Sequence, residues 1–168
     1  MKIFLIGFMG SGKTYCGRQL SKKLSVPFFD LDEQVISHEG KDINEIFEAN
    51  GEEYFRIMEK EVLHIITESH DSFVMACGGG APCYFNNIEY MKRSGTTVWL
   101  NTPVDTLLKR LKKERSQRPL LKELTDDQLH SFILKKFADR RMYYEQADIT
   151  VEEDNLELEK LIEKIFHA

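Results

Sequence analysis

The segment that most constrains this chain is the glycine-rich stretch Gly7–Thr14, which reads GFMGSGKT and fits the pattern G-x-x-x-x-G-K-[ST]. It follows an apolar, strand-like run at residues 2–6 and leads into an amphipathic stretch with helical periodicity. A glycine-rich turn between a strand and a helix lets backbone N–H groups point inward around phosphate oxygens, and the helix N-terminus adds positive potential. The sequence therefore predicts a strand–loop–helix unit that carries a phosphate-binding loop.

The residue types at the end of this motif predict how a nucleotide would be held. Lys13 is long enough to reach the β- and γ-phosphates, and the Thr14 hydroxyl is a ligand for a Mg²⁺ ion that bridges them. The candidate nucleotide-binding residues of the motif and its exit are Gly10, Ser11, Gly12, Lys13, Thr14 and Tyr15. The motif by itself does not separate a kinase from other nucleotide-binding proteins.

Apolar runs alternate with segments of helical periodicity along the rest of the chain, which is typical of βαβ units. Because neighbouring parallel strands need crossover connections, this alternation predicts an α/β three-layer sandwich with a parallel sheet covered by helices on both faces. The predicted strands are Lys2–Ile6, Val26–Leu31, Ser72–Ala76, Thr96–Leu100 and Asp148–Val151. The predicted helices are Gly12–Leu24, Ile43–Glu68, Val104–Lys113, Asp126–Glu145 and Leu156–Phe166, the second with a break at Asn50-Gly51.

The length of the chain and the absence of linkers predict a single domain. The 168 residues contain no repeat, no low-complexity tract and no Gly/Ser/Pro-rich linker, so we expect one domain over residues 1–168. Only Glu114–Thr125 fits neither a strand nor a core helix, since it is polar at its start and contains Arg118-Pro119-Leu120-Leu121. We interpret it as a mobile lid at about residues 114–125.

Charge and composition argue against several classes of protein. A formal charge of −5 disfavours nucleic-acid binding, which depends on cationic neutralisation of phosphates. No run of 18 apolar residues and no signal-peptide core is found, so we expect a cytoplasmic protein without membrane contact, and, without a heptad pattern, a monomer. The three cysteines show no C-x-x-C spacing and are predicted to be reduced and mostly buried. The basic stretch Lys109–Arg118 suggests a small anionic ligand, although a solvated helix face is the simpler explanation.

Two aspartates follow the second predicted strand as Asp30-Leu31-Asp32. In an extended segment, residues two apart point to the same side, so both carboxylates would face one cleft. Ligands of open α/β sheets bind beyond the carboxyl ends of the strands, which places the pair beside the phosphate-binding loop. The alternative is that Asp32 caps a helix while Asp30 faces solvent.

Two further features stand out in the middle of the chain: Phe55-Arg56, and the triple glycine Gly78-Gly79-Gly80 after the third predicted strand. Glycines at a strand end would let backbone N–H groups approach a ligand closely, although a merely flexible turn is the alternative.

Together these motifs resemble those of the shikimate kinases nearly end to end. The shared patterns are GFMGSGKT, the D-x-D pair, E-x-x-F-R at 52–56, GGG, R-P-L-L at 118–121 and R-x-x-x-Y-E at 140–145. The resemblance implies a five-stranded parallel sheet in the P-loop nucleoside-monophosphate-kinase-like fold. It also implies transfer of the γ-phosphate of ATP to the 3-hydroxyl of shikimate, a step of aromatic amino acid (chorismate) biosynthesis.

The resemblance implies roles on the nucleotide side of the site. Lys13 and Arg118 would be catalytic, with Arg118 of the lid over the transferring phosphoryl group. Arg110 would cover the adenine. Asp30 would hold Mg²⁺ through water, beside the Thr14 hydroxyl.

It also implies an acceptor-binding region at about residues 32–61, completed by two later segments. Asp32 would be the third catalytic residue, since it would bind shikimate hydroxyls and orient the attacking one. The acceptor-binding residues would be Asp32, Phe47, Phe55, Arg56, Gly78, Gly79, Gly80 and Arg140. In this set the arginines would clamp the carboxylate, the glycine backbone would contact the ring, and the phenylalanines would wall its apolar side.

Several alternatives remain open at this point. Without the resemblance, a surface salt bridge with Glu59 or Glu145 as partner is the preferred explanation for each of Arg56 and Arg140. Arg115 is a second candidate cation of the lid. The chain continues after the glycines as Ala81-Pro82-Cys83, where shikimate kinases more often have a small and then a β-branched residue, so the path of this loop is not predicted.

The alternative functions are another small-molecule kinase, such as a gluconate or nucleoside-monophosphate kinase, and a regulatory nucleotide-binding module. A regulatory module would need no acceptor cleft, so the D-x-D, GGG and R-P-L-L patterns disfavour it. A purely structural domain fits least, because packing does not require this glycine and lysine pattern at a strand-to-helix turn.

Overall fold

The computed structural model describes residues 1–118, 120–152 and 156–167. Pro119, which belongs to the R-P-L-L pattern of the predicted lid, lies outside the described residues. The same holds for residues 153–155, which precede the last helix, and for residue 168 of the predicted domain.

Five parallel strands form one sheet, which confirms the predicted parallel α/β sandwich. The strands are β1 (Lys2–Ile6), β2 (Phe28–Asp30), β3 (Phe73–Ala76), β4 (Thr96–Leu100) and β5 (Ile149–Val151). Their order in the sheet is β2-β3-β1-β4-β5, and every neighbouring pair is parallel. All five lie within the predicted apolar runs, although β2 is much shorter than Val26–Leu31.

Helices cover both faces of the sheet. They are α1 (Lys13–Leu24), α2 (Leu31–Glu39), α3 (Ile43–Ser69), α4 (Asn87–Ser94), α5 (Val104–Glu114), α6 (Asp126–Tyr144) and α7 (Leu158–His167), with 3₁₀ turns at Ala81–Cys83 and Arg115–Gln117. The predicted break in the second helix is present in α3, where Gly51 has φ +86° and ψ 172°. The short helices α2 and α4 were not predicted, because eight or nine residues give few turns over which apolar periodicity can be detected.

The side chains of β1 alternate between two hydrophobic clusters, as a strand buried on both faces requires. Phe4 and Ile6 pack in a cluster with residues of α2 through α6, whereas Ile3 and Leu5 pack in a second cluster with residues of α1 and α7. All four of these side chains are fully buried. The central strand is therefore packed on both faces, which holds the start of the following loop in place.

The predicted lid segment is anchored to the core through Leu121. Leu121 is completely buried and belongs to the same cluster as Phe4, while its neighbour Leu120 is 65% exposed. Arg115 donates to the Leu124 carbonyl at 3.0 Å and pairs with Asp126 at 2.7 Å. Arg115 is thus tied to the start of α6.

The strand order places three functional segments side by side. The phosphate-binding loop follows β1, Asp30 ends β2, and the triple glycine lies just beyond β3, which runs between them. Because the strands are parallel, all three segments meet at the carboxyl edge of the sheet. Within the described ranges, no helix has the combination of length and apolar character needed to cross a bilayer.

Candidate active site

The phosphate-binding loop has the backbone conformation that its glycines were expected to allow. Gly10 and Gly12 have φ of +80° and +86°, a region that side chains with a Cβ rarely occupy. The Ser11 N–H donates to the Phe8 carbonyl at 3.1 Å, which closes the loop directly before α1. The loop therefore ends at the positive N-terminus of that helix.

Lys13 bends back over the loop that precedes it. Its Nζ atom donates to the Gly7 carbonyl at 2.7 Å and to the Phe8 carbonyl at 2.9 Å. Burial lowers the pKa of Lys13 to about 8, while Asp32 raises it and the Arg140 and Arg118 cations lower it. The electrostatic partners of this lysine thus already include residues predicted for the acceptor side.

The two aspartates are not arranged as the extended D-x-D prediction required. β2 ends at Asp30, whose Oδ1 accepts from the Glu33 N–H at 3.2 Å and so caps α2, and Asp32 lies in the first turn of that helix. The prediction of an extended pair was wrong, and the alternative named the wrong capping residue. The helix begins immediately because Asp30 satisfies an otherwise unpaired N–H.

Both carboxylates nevertheless line one cleft. Asp30 Oδ2 accepts from the Thr14 hydroxyl at 3.0 Å, which joins the end of β2 to the start of α1. Burial raises the pKa of Asp32, and so does neighbouring Asp30, while Lys13, Arg56 and Arg118 act in the opposite direction. The carboxylate of Asp32 therefore lies among cations from both halves of the predicted site.

This cleft has a volume of about 1070 Å³. Its lining includes most of the residues predicted for the nucleotide and several predicted for the acceptor: Gly10, Ser11, Gly12, Lys13, Thr14, Tyr15, Asp30, Asp32, Gly78, Gly79, Arg110 and Arg118. Phe47, Phe55, Arg56, Gly80 and Arg140 are not among its lining residues. Gly80 belongs to the triple glycine, and Arg140 and Arg56 lie against Gly79 and Gly80.

Each of the three glycines lies against a charged side chain. A methyl group built on Gly78 would lie 2.9 Å from Asp32 Oδ1, and one on Gly79 would lie 3.0 Å from Arg140 Nη1. On Gly80 it would lie 2.6 Å from Arg56 Nη2. Close approach of these side chains, rather than a merely flexible turn, accounts for all three glycines. Along the loop, the three successive glycines thus lie against Asp32, Arg140 and Arg56, respectively.

Arg56 is paired but buried, so the surface salt-bridge alternative is only half right. Its Nη1 donates to Glu59 Oε1 at 2.9 Å, and the two side chains are 9% and 1% exposed. Its Nε atom is buried without a hydrogen-bond partner among the described residues. A buried N–H that lacks a partner costs about 1–3 kcal/mol, which is typical of a site that receives its partner from a ligand.

Arg140 does not pair with Glu145, which instead accepts from Arg141 Nε at 2.7 Å. The guanidinium of Arg140 lies 5.7 Å from the centre of the Phe8 ring. Its Nη1, like Nε of Arg56, is buried and finds no hydrogen-bond partner within the described ranges. Both arginines of the predicted clamp thus adjoin the glycine loop and keep an unused donor.

Glu59 is a site residue that the sequence analysis treated only as a salt-bridge partner. Burial raises its pKa to about 7, although Arg56 acts in the opposite direction, and Asp32 adds to the rise. Its Oε2 lies 3.2 Å from the position of a methyl group on Gly78. The available signal was its spacing of three residues from Arg56, which places both on one helix face.

The remaining predicted residues lie around these groups. Arg118 lines the cleft and holds Glu114 Oε2 with Nη2 at 2.7 Å, whereas Arg110 donates to the Gly10 carbonyl at 2.9 Å. The rings of Phe47 and Phe55 are 5.0 Å apart. The arrangement combines a backbone nest for phosphate with a carboxylate and two arginines at the adjoining strand end, which suits phosphoryl transfer between two anionic molecules.

Comparisons with known proteins point to one family. The shikimate kinase family model matches residues 9–168. A shikimate kinase of Bacteroides fragilis is 42% identical over 163 residues, which cover 97% of this chain and 90% of that protein.

Solved structures give the same result. The shikimate kinase of Bacteroides thetaiotaomicron superimposes with a TM-score of 0.90 at 38% identity, over 99% of this chain and 97% of that one. The shikimate kinase of Acinetobacter baumannii, solved in complex with shikimate, gives a TM-score of 0.85 at 35% identity, over 99% and 90% of the two chains. With its P-loop nucleoside-monophosphate-kinase-like fold, this chain belongs to the shikimate kinase family.

Proposed function

We propose that this protein transfers the γ-phosphoryl group of ATP to the 3-hydroxyl of shikimate, giving shikimate 3-phosphate and ADP for aromatic amino acid biosynthesis. The observation that carries the proposal is the glycine loop, which lies against Asp32, Arg140 and Arg56 and adjoins the phosphate-binding loop. The Acinetobacter baumannii relative solved with shikimate supports the choice of acceptor.

On the nucleotide side, we propose that residues 10–15 bind the phosphates of ATP. Lys13 would exchange its bonds to the loop carbonyls for bonds to phosphate oxygens, which its position over the loop allows. Arg118, which lines the same cleft, would neutralise the transferring phosphoryl group, and Arg110 would lie against the adenine.

A Mg²⁺ ion fits the oxygen groups at the end of β2. The Thr14 hydroxyl and the Asp30 carboxylate, 3.0 Å apart, are the hard oxygen donors that this ion prefers, and Mg²⁺ usually keeps several of its waters. Thr14 would bind it directly and Asp30 through water. When bound, the ion neutralises phosphate oxygens.

On the acceptor side, Arg56 and Arg140 would clamp the carboxylate of shikimate. Each charge-assisted hydrogen bond contributes about 1.5–3 kcal/mol, so two arginines on one carboxylate separate an acid from its neutral analogue by orders of magnitude. Phe47 and Phe55 would contact the apolar side of the ring, and the backbone of residues 78–80 would contact its polar edge.

The chemical step needs positioning and charge neutralisation more than covalent catalysis. Asp32 would accept a hydrogen bond from the 3-hydroxyl and align that oxygen with the γ-phosphorus. The oxygen–phosphorus bond forms as the bond to ADP breaks, and the hydroxyl proton leaves toward the Asp32 carboxylate. Lys13 and Arg118 would hold the negative charge that spreads over the phosphoryl oxygens.

We also propose the organisation in which this chemistry takes place. Residues 1–168 would form one domain, with a lid at about 114–125 that brings Arg118 to the nucleotide and an acceptor-binding region at about 32–61. The three cysteines are free, as in proteins of the reducing cytoplasm, where we place the enzyme as a monomer.

An acceptor panel tests the proposal. ADP release is measured with ATP, Mg²⁺ and either shikimate, gluconate, a nucleoside monophosphate or no acceptor, and phosphorus NMR identifies the product. Among these acceptors, we expect only shikimate to support ADP release, and we expect the transferred phosphate on its 3-hydroxyl. Faster release with gluconate or a nucleotide would assign another acceptor, and equal release without any acceptor would indicate a regulatory nucleotide-binding module.

A further inference from the structure

An aromatic residue outside the recognised motifs lies against the guanidinium of Arg56. The Arg56 Cζ atom is 4.4 Å from the centre of the Tyr84 ring, closer than the 5.1 Å that separates it from the Phe55 ring. Phe55 adjoins Arg56 in α3, whereas Tyr84 follows the 3₁₀ turn Ala81–Cys83. The contact therefore joins the exit of the glycine loop to the helix that carries Arg56.

The hydroxyl of Tyr84 makes a second connection to the same arginine. It donates to Glu52 Oε1 at 3.1 Å, and this oxygen also lies 3.5 Å from Arg56 Nη2. Glu52 precedes Arg56 by one helical turn and is exposed. Tyr84 thus acts on the guanidinium directly through its ring and indirectly through the carboxylate of Glu52.

A contact through a ring face has a particular advantage for a residue that must bind an anion. An aromatic face attracts a cation without using any of its N–H groups. Glu59 already occupies Nη1, while Nε has no hydrogen-bond partner among the described residues. The Tyr84 ring can therefore restrict the plane of the guanidinium and leave its free donors for a ligand.

We propose that Tyr84 is a positioning residue for the acceptor carboxylate: it fixes the plane of the Arg56 guanidinium and so strengthens discrimination between an acid and its neutral analogue. The proposal rests on the proposed function, because it takes Arg56 as a ligand of that carboxylate. The gain comes from preorganisation, since an arginine that is already oriented loses less freedom when the acceptor binds.

The test compares kcat/KM for shikimate with kcat/KM for its methyl ester, which lacks the negative charge. Tyr84→Leu keeps an apolar side chain but removes the ring face. It should raise the KM for shikimate about two- to 12-fold, the factor that corresponds to the cost of ordering one long side chain when the acceptor binds. The preference for the acid over the ester should fall by a similar factor, while the KM for ATP stays close to the wild-type value.

Two further variants separate the ring from other effects. Tyr84→Phe keeps the ring and loses only the bond to Glu52, so it should retain most of the preference for the acid. Phe85→Ala removes the neighbouring ring, which is 49% exposed and lies 5.6 Å from the Lys60 cation, and it should keep the full preference.

The outcomes are distinguishable. A wild-type protein that does not phosphorylate shikimate overturns the proposed function and this inference with it. The inference alone is overturned if the wild type phosphorylates shikimate and Tyr84→Leu keeps the wild-type KM for shikimate. It is also overturned if Tyr84→Leu loses kcat/KM equally for the acid and the ester. If melting curves show that Tyr84→Leu is unfolded, Tyr84→Met is measured by the same criteria.

Discussion

A methyl group at Gly80 should displace Arg56 and weaken acceptor binding. It would lie 2.6, 2.7 and 2.8 Å from Nη2, Nη1 and Cζ of Arg56, all closer than real Cβ contacts allow. Gly80 has φ −91° and ψ −10°, a conformation that alanine adopts without strain, so the effect comes from the side-chain clash alone. Because Glu59 and Tyr84 hold the guanidinium in place, it cannot move without losing those contacts.

The size of the effect follows from the interaction that is lost. A charge-assisted hydrogen bond between Arg56 and the acceptor is worth about 1.5–3 kcal/mol, so the KM for shikimate should rise about 10- to 150-fold in Gly80→Ala. Steady-state kinetics at saturating ATP measures this change, and the KM for ATP should stay near its wild-type value.

Gly17→Ala is the matched control. A methyl group there would lie 2.5 Å from Cε2 of the Phe28 ring, so the clash is equally severe but lies in the packing between α1 and the segment before Asp30. It should lower the melting temperature and leave the KM for shikimate unchanged. A Gly80→Ala enzyme with wild-type KM for shikimate would refute the account of the glycine loop.

Three other variants test the remaining parts of the site. Arg118→Ala should reduce turnover by about 10³- to 10⁵-fold with little change in the KM for ATP, as expected for a mobile arginine that neutralises the phosphoryl group; near-normal turnover would remove Arg118 from the mechanism. Arg56→Ala should raise the KM for shikimate at least about tenfold with a smaller effect on ATP, and an unchanged value would exclude the carboxylate clamp. The pKa of Glu59 is raised to about 7 by burial, so the folded protein binds a proton there more tightly than the unfolded chain does. This tighter proton binding stabilises the folded protein by an amount on the order of 3 kcal/mol below about pH 4.5, and the stabilisation is lost as the pH rises to about 7. Denaturant unfolding of the wild type should therefore show a steeper loss of stability over that range than Glu59→Gln, and parallel curves would contradict the buried, proton-binding carboxyl.

The phosphate-binding loop and the parallel sheet could be predicted because their signals are local. The glycine and lysine spacing of the loop and the apolar runs of the strands each lie within a few residues of chain. The break at Gly51 was predicted for the same reason, since Asn50-Gly51 is a turn signal in any context.

The arrangement of the acceptor side could not be predicted in the same way. That Gly80 lies against Arg56, and Tyr84 against the same guanidinium, depends on how α3 packs beside the loop after β3, which no short pattern encodes. The predicted geometry of the two aspartates was wrong because the cap formed by Asp30 starts a helix where an extended segment was expected. A short capping signal and a short strand end look alike in sequence.

The most direct test of two adjoining anion sites is a crystal structure of the protein with shikimate and a non-hydrolysable ATP analogue. The account predicts the carboxylate of shikimate within hydrogen-bond distance, about 2.7–3.2 Å, of both Arg56 and Arg140, and its 3-hydroxyl at Asp32, facing the γ-phosphate. A carboxylate bound away from both arginines, or an acceptor whose hydroxyl points away from the phosphate-binding loop, would contradict it.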